Sequence, residues 1–347
     1  MDKGQSGVAS ASIRRLLLLQ PRWMGDVLLA TPAIREARRA FPNAKIDFAT
    51  EGAGGEVLRK NPYLDEVLVD RKKLGSRLRL LSRVAAGGYD AVVDFRSTGS
   101  TAQLALVSRA RIRVGVRGRG PRNRVYTHLV ERQELDLYAA RHKLDMLRVL
   151  GVDTAGVCDL SLDLTIEATD RAAAERIWQE NRLESERVVA ISPVSREEYK
   201  QWGAAKWAEV ADGVAGLGAR ALLTSGPGEL DQVREVAGLM QSKPLWDYGR
   251  TTIAGLAAIL ERCVLWIGND GGTKHIAAAA GVPTISIGRW QIGPVWTDST
   301  AAAVQQFIDR APPGGCDMRC PGCKHLGCLA AITPEDVLVT IRSSLRA

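Results

Sequence analysis

Residues Trp266–Gly288 read WIGNDGGTKHIAAAAGVPTISIG, an apolar run followed by a glycine-containing loop and an alanine-rich segment. This order predicts a buried strand, a tight loop, a helix over 273–280 and another strand at 284–287. Glycine lets such a loop turn sharply, so that a ligand can approach main-chain N–H groups. Because a helix N-terminus carries partial positive charge, the segment predicts a diphosphate site. His275, in the first helical turn, can donate to a phosphate oxygen.

The alternative interpretation of this loop is a plain strand-to-helix turn capped by Asp270. No GK[ST] follows the glycines, so the loop is not a Walker A sequence.

The same alternation of apolar strands and amphipathic helices runs through both halves of the chain. The spacing predicts a helix over 26–41 and, across the chain, strands at 13–19, 45–49, 66–69, 91–95, 111–116, 188–191, 219–224, 264–267 and 284–287. Such alternation is typical of doubly wound parallel sheets, whose ligands lie at the carboxyl ends of strands. Since 347 residues exceed what one core usually serves, we expect two Rossmann-like domains, 1–155 and 156–347.

The composition is that of a globular protein, with 46% hydrophobic residues and a formal net charge of +8. The charge favours an anionic partner, such as a phosphorylated glycan, an anionic membrane surface or nucleic acid. It is concentrated in RARIRVGVRGRGPRNR at 109–124, where seven arginines occur without an acid. This run is either a solvated loop or an anion-binding one.

No stretch approaches the roughly 20 apolar residues of a membrane-spanning helix. The start, MDKGQSGVASASIRR, lacks the apolar run of a secretory signal. We therefore expect a cytoplasmic protein.

Three further loops follow predicted strands. Asp26, after the first strand, is either a helix cap or a general base for an acceptor hydroxyl. Ser195, Arg196 and Lys200 follow the first strand of the second half and are candidates for holding phosphates. Glu229, in TSGPGE, either binds a ribose diol or starts the next helix.

Together these segments resemble glycosyltransferase family 9, the heptosyltransferases of lipopolysaccharide core synthesis. The resemblance rests on six segments in family order, namely GDVLLATPAIREAR at 25–38, YDAVVDFRSTG at 89–99, RIRVGV at 111–116, RHKLDMLRVLGV at 141–152, SREEYKQW at 195–202 and GNDGGTKHIAAAAGVP at 268–283. It implies a GT-B fold and an inverting, metal-independent transfer of a sugar from a nucleotide diphosphate. The expected donor is ADP-heptose, and the expected acceptor is an envelope glycolipid such as the lipopolysaccharide core.

The resemblance also assigns roles to matched positions. Asp26 would be the catalytic base, and Lys200 would bind the phosphates and steady the leaving group. Gly271, Gly272 and His275 would cradle the diphosphate, Asp270 would organise their loop, and Glu229 would bind the ribose.

Two positions depart from the family pattern. Gly271 stands where a hydroxyl residue is usual, and Thr273 is the expected substitute. Gln20 stands where a basic residue is common after the first strand, and Arg22 is the expected compensation.

We expect acceptor phosphates to be bound by Arg22 and by Arg117, Arg119 and Arg122 of the arginine run. That places the protein peripherally at the inner face of the cytoplasmic membrane. The rival hypotheses are a GT-B epimerase acting on a nucleotide sugar and, with less support, a nucleic-acid-binding protein with a zinc module. Aromatic residues do not alternate with the arginines, which disfavours the last of these.

Four cysteines near the C-terminus have metal-ligand spacing, namely Cys316, Cys320, Cys323 and Cys328. Four thiolates at such spacing hold structural zinc or an iron–sulfur cluster, and a disulfide is the other possibility. We expect a local structural clasp and no catalytic cofactor.

Overall fold

The computed structural model describes residues 13–134, 136–226, 228–246, 251–301, 305–316 and 327–346. The chain divides into two compact units, Met1–Thr165 and Ile166–Ala347. Within the described residues, each unit contains a six-stranded, fully parallel sheet. The predicted α/β class with two parallel sheets is confirmed.

The elements of the first unit alternate as the sequence indicated. Its strands are β1 (Arg15–Leu19), β2 (Lys45–Glu51), β3 (Glu66–Asp70), β4 (Ala91–Asp94), β5 (Ile112–Val116) and β6 (His128–Val130). Its helices are α1 (Met24–Leu28), α2 (Thr31–Ala40), α3 (Ala53–Val57), α4 (Leu74–Ala86), α5 (Gly99–Val107) and α6 (Ala139–Asp145).

The second unit repeats the plan. Its strands are β7 (Val188–Ser192), β8 (Arg220–Leu223), β9 (Leu245–Trp246), β10 (Leu265–Asn269), β11 (Thr284–Ile287) and β12 (Gln305–Ile308). Its helices are α7 (Ala168–Glu180), α8 (Ala204–Gly216), α9 (Leu230–Leu239), α10 (Ile253–Leu260), α11 (Gly272–Ala279), α12 (Gly293–Trp296), α13 (Gly327–Ala330) and α14 (Pro334–Arg346).

Strand order fixes where a ligand can bind in each sheet. The orders are β3-β2-β1-β4-β5-β6 and β12-β11-β10-β7-β8-β9. The direction of winding therefore reverses between β1 and β4 in the first unit and between β7 and β10 in the second. Loops diverge at such a switch point and leave a crevice at the carboxyl ends of the strands.

The central strands form the cores. Leu16, Leu17, Leu18 and Leu19 of β1 are completely buried, as expected for a parallel sheet covered on both faces. Burial of each such side chain contributes about 1.5–3 kcal/mol.

The single helix predicted over 26–41 is two helices, α1 and α2. Pro32 lies in the first turn of α2. Proline has no N–H to donate within a continuous helix, so the chain breaks before it. The Thr31 hydroxyl donates to the carbonyl of Leu28 at 2.7 Å and closes the break.

The first unit extends to Thr165, beyond the boundary expected at residue 155. The buried Arg35 of α2 holds the added segment, donating to the Ser161 carbonyl at 3.1 Å and to Asp163 Oδ2 at 2.7 Å. The amide of Asp163 donates to the Thr31 hydroxyl at 2.8 Å. Residues 156–165 therefore pack as part of the first unit.

Candidate functional site

The loops that follow β7 and β10 converge at the switch point of the second unit. The two strands approach so closely that a Cβ on Gly268 would lie 2.6 Å from the Ser192 carbonyl oxygen. Only glycine fits there, and this close pairing brings the loop after β7 against the loop after β10.

Asp270 lies at the centre of this convergence. Its side chain is buried, with Oδ2 3.3 Å from Lys200 Nζ and Oδ1 3.9 Å from Lys274 Nζ. Lys200 Nζ also donates to the Asp270 carbonyl at 3.3 Å. Burial alone would raise the pKa of Asp270, but Lys274 and Lys200 together outweigh it and hold the pKa below its usual value. The carboxylate is therefore ionised and fixes Lys200 at the loop.

Sequence reasoning missed Lys274. The side chain is completely buried, donates to Thr297 Oγ1 at 2.8 Å and lies 5.3 Å from the centroid of the Phe307 ring. Burial lowers its pKa to about 8, while the Asp270 carboxylate acts in the opposite direction. The available signal was a lysine in the first turn of an alanine-rich helix, four residues after Asp270.

His275 is buried beside Trp296, with ring centroids 6.5 Å apart. Burial and then the charge of Lys274 lower its pKa to about 3, so the imidazole is neutral at physiological pH. Its Nδ1 and the Trp296 indole nitrogen have no hydrogen-bond partner among the described residues. A buried polar atom of this kind is expected to bond to something, and a phosphate oxygen is a suitable acceptor.

The helix that follows Gly271 begins without a side-chain cap. Gly271 is extended, with φ −164° and ψ −173°, a conformation that any residue adopts. The chain bends at Asp270 and Gly271 before α11 begins, and this bend does not depend on a left-handed backbone conformation at Gly271. Gly272 is the first residue of α11. Thr273 is held by its hydroxyl, 3.0 Å from the Ser192 hydroxyl.

The remaining predicted donor residues lie on loops at the carboxyl ends of β7 and β8. The Ser195 hydroxyl donates to the Glu197 carbonyl at 3.2 Å, and Arg196 is exposed. The Glu229 carboxylate accepts the Gly226 amide at 2.8 Å, which closes its own loop. Ser225, which sequence reasoning missed, is buried, and its hydroxyl has no partner in the part of the chain that the structure describes.

At the switch point of the first unit, Asp26 lies in α1 and is buried. It has two cationic neighbours: Arg96 Nη1, after β4, is 3.6 Å from Oδ2, and Lys143 Nζ, from α6, is 3.8 Å from Oδ1. The backbone amide of Trp23 donates to Oδ2 at 3.5 Å. The Asp26 carboxylate thus accepts the N-cap amide of α1 and also lies at the edge where a ligand of this sheet binds.

The cation beside Gln20 is Lys143, whose Nζ donates to Gln20 Oε1 at 2.9 Å. Arg22 is directed elsewhere: its Nε lies 3.7 Å from Glu51 Oε2, and its guanidinium covers the ring of Trp23. The cation that contacts the Gln20 side chain is therefore Lys143, whereas compensation by Arg22 stays a prediction. The loop between β1 and α1 carries Arg22 away from Gln20.

The arginine run is partly structural. Arg113 is half-buried and donates to the Val125 carbonyl at 2.6 Å. Arg117, Arg119 and Arg122 are exposed, and Arg117 pairs with Glu131 at 2.6 Å.

Of the four clustered cysteines, Cys320 and Cys323 lie outside the described residues. Cys316 is exposed, and Cys328 is buried in α13. Within the described ranges, no three His, Cys, Asp or Glu side chains form a metal-binding group.

The two doubly wound, parallel-sheet units are those of the GT-B fold. The family model of glycosyltransferase family 9 (heptosyltransferase) matches residues 77–289. The chain therefore belongs to glycosyltransferase family 9 and is a glycosyltransferase.

Known proteins agree with this assignment. Lipopolysaccharide heptosyltransferase 3 of Escherichia coli K12 is 29% identical over 286 residues, covering 77% of this chain and 80% of that protein. The family 9 glycosyltransferase of Veillonella parvula superposes with a TM-score of 0.83 at 23% identity, covering 98% of this chain and 99% of the other. Escherichia coli heptosyltransferase WaaC with ADP-2-deoxy-2-fluoro heptose gives a TM-score of 0.70 at 19% identity, covering 95% and 99%. These likenesses confirm the predicted family and the GT-B fold.

Proposed function

We propose that the enzyme transfers heptose from ADP-heptose to a lipopolysaccharide-core or related glycolipid acceptor, with inversion at the anomeric carbon. The observation that carries the proposal is the group formed by Lys200, Asp270 and His275 at the switch point of the second unit. The similarity to a lipopolysaccharide heptosyltransferase and to a structure with an ADP-heptose analogue supports the choice of substrates.

The second unit binds the donor in this proposal. Lys200 and the uncapped amides of α11 contact the diphosphate, where negative charge accumulates as the sugar leaves. His275 donates as a neutral imidazole, and Asp270 holds Lys200 in place. Thr273, Ser195, Arg196 and Glu229 complete the predicted donor set.

The first unit binds the acceptor. Asp26, which lies beside the cations of Arg96 and Lys143, removes the proton of the acceptor hydroxyl as that oxygen attacks the sugar. Arg22, Arg117, Arg119 and Arg122 supply positive charge for acceptor phosphates, and all four are exposed.

The test is transfer with purified components. ADP-heptose and a heptose-deficient lipopolysaccharide core should yield ADP and an extended glycolipid, with the anomeric configuration of the product read by NMR. Asp26→Asn should lose on the order of 10²–10⁴ in turnover while ADP binding persists. Nucleotide release without acceptor would favour an epimerase, and loss of transfer in EDTA would contradict metal-independent chemistry.

We further propose peripheral contact with the inner face of the cytoplasmic membrane through α4. Within the described residues, no helix is long and apolar enough to cross a bilayer. Leu74 is 79% exposed and Leu78 57% exposed. They lie within RKKLGSRLRLLSR at 71–83, which has no acidic residue. Apolar side chains among cations suit an anionic lipid surface, and like charge disfavours self-association of this face.

A further inference from the structure

A buried lysine lies beside the proposed base, and the family resemblance gave it no role. Lys143 of α6 is 5% exposed. Its ammonium lies 2.9 Å from Gln20 Oε1, 3.8 Å from Asp26 Oδ1 and 5.7 Å from the centroid of the Phe95 ring.

The surroundings orient this ammonium. Gln20 is completely buried, and its Nε2 donates to the Arg22 carbonyl at 2.6 Å. Because that bond fixes the amide, Oε1 is directed at Lys143. The lysine is therefore held from the end of β1 while its charge faces Asp26 on α1.

The charged groups around Lys143 come from three other elements. Asp26 faces it from α1, Asp94 from β4 and Arg96 from the loop after β4. Burial lowers the pKa of Lys143, and the Asp26 carboxylate acts in the opposite direction. A buried ammonium is costly, and an apolar side chain of similar size is often at least as stable in such a place. Stability alone therefore does not account for a lysine here.

We propose that Lys143 is a positioning residue that orients the Asp26 carboxylate, supplying from α6 a positive charge that the uncharged Gln20 cannot supply from the end of β1. This inference rests on the proposed function of Asp26 as the base. Lys143 contacts the base and not the reacting atoms, so its effect on transfer passes through Asp26.

The geometry suggests a charge swap as the test. A lysine side chain is one atom longer than glutamine. In Gln20→Lys/Lys143→Gln, the ammonium therefore extends from β1 toward the position that Lys143 Nζ now occupies. The swap keeps one ammonium and one amide in contact, but the ammonium now extends from the end of β1 and the amide from α6.

Transfer kinetics would be measured for the wild type, Lys143→Met, the swap and Asp26→Asn, with folding checked by thermal unfolding. Lys143→Met should lower kcat on the order of 10-fold to 100-fold with little change in the donor KM, because a misplaced base slows the chemical step. The swap should recover most of kcat.

Two results would overturn the inference: wild-type kcat in Lys143→Met, or a folded swap variant no more active than a folded Lys143→Met. If Lys143→Met does not fold, the swap is compared with the wild type instead, and a folded swap variant that has lost transfer would overturn the inference. Wild-type turnover in Asp26→Asn would instead remove the proposed base, which separates failure of the function from failure of the role of Lys143.

Discussion

Replacing Lys274 with methionine should stabilise the second unit while weakening the donor site. The pKa of Lys274 falls from 10.5 to about 8 through burial, with Asp270 already acting against the fall. That difference corresponds to about 3 kcal/mol against the charged form in the folded protein. Losing the hydrogen bond to Thr297 lowers the free energy of unfolding by about 1 kcal/mol. Lys274→Met should therefore raise the free energy of unfolding by about 2 kcal/mol at pH 7.

The direction of this stability change can be tested by varying the pH. Between about pH 8 and 10.5, the unfolded chain retains a proton on Lys274 that the folded protein has lost. Because the unfolded state binds more protons there, this lysine makes wild-type stability rise with pH across that window. The advantage of Lys274→Met should therefore be largest below pH 8 and disappear toward pH 10.5.

The assay is urea unfolding followed by tryptophan fluorescence, since Trp207 and Trp266 are buried in this unit. The matched control is Lys243→Met at an exposed position, which should change stability by no more than about 0.5 kcal/mol. ADP affinity should fall on the order of 10-fold in Lys274→Met, because Asp270 keeps only Lys200 and the donor loop becomes more negative. A variant destabilised at pH 7, or an advantage independent of pH, would refute the reasoning.

Three further predictions concern other parts of the molecule. The His275 ring should remain neutral from pH 5 to 8, because burial lowers its pKa to about 3; ¹⁵N NMR showing titration near pH 6.5 would contradict this. Arg35→Met should lower the free energy of unfolding by about 3 kcal/mol and expose residues 156–165 to limited proteolysis, because the buried guanidinium holds that segment. An unchanged cleavage rate would exclude that role. Leu74→Ser/Leu78→Ser should reduce co-sedimentation with phosphatidylglycerol vesicles. The control Leu239→Ser, at a residue 53% exposed on α9, should not reduce it. Equal vesicle binding by the wild type and both variants would exclude α4 as the membrane-contacting face.

Local patterns in the sequence were sufficient for the fold class and for the loops that carry the site. Apolar periodicity located β1 and β10, and NDGG at 269–272 predicted the loop between β10 and α11, because strand period and turn chemistry are properties of neighbouring residues. The same local reasoning failed at Pro32, where a continuous apolar spacing concealed a helix break.

Only the tertiary structure decided which charges meet. Lys200 reaches Asp270 across 70 residues, and Lys143 reaches Gln20 across 123. The first contact follows from strand order, which places β10 beside β7, and the second follows from α6 packing back against α2 in the first unit. Contacts between residues so far apart in the sequence produce no periodic pattern of residue types. A lysine can be buried as a counter-charge only where the folded chain places a carboxylate or another polar group beside it.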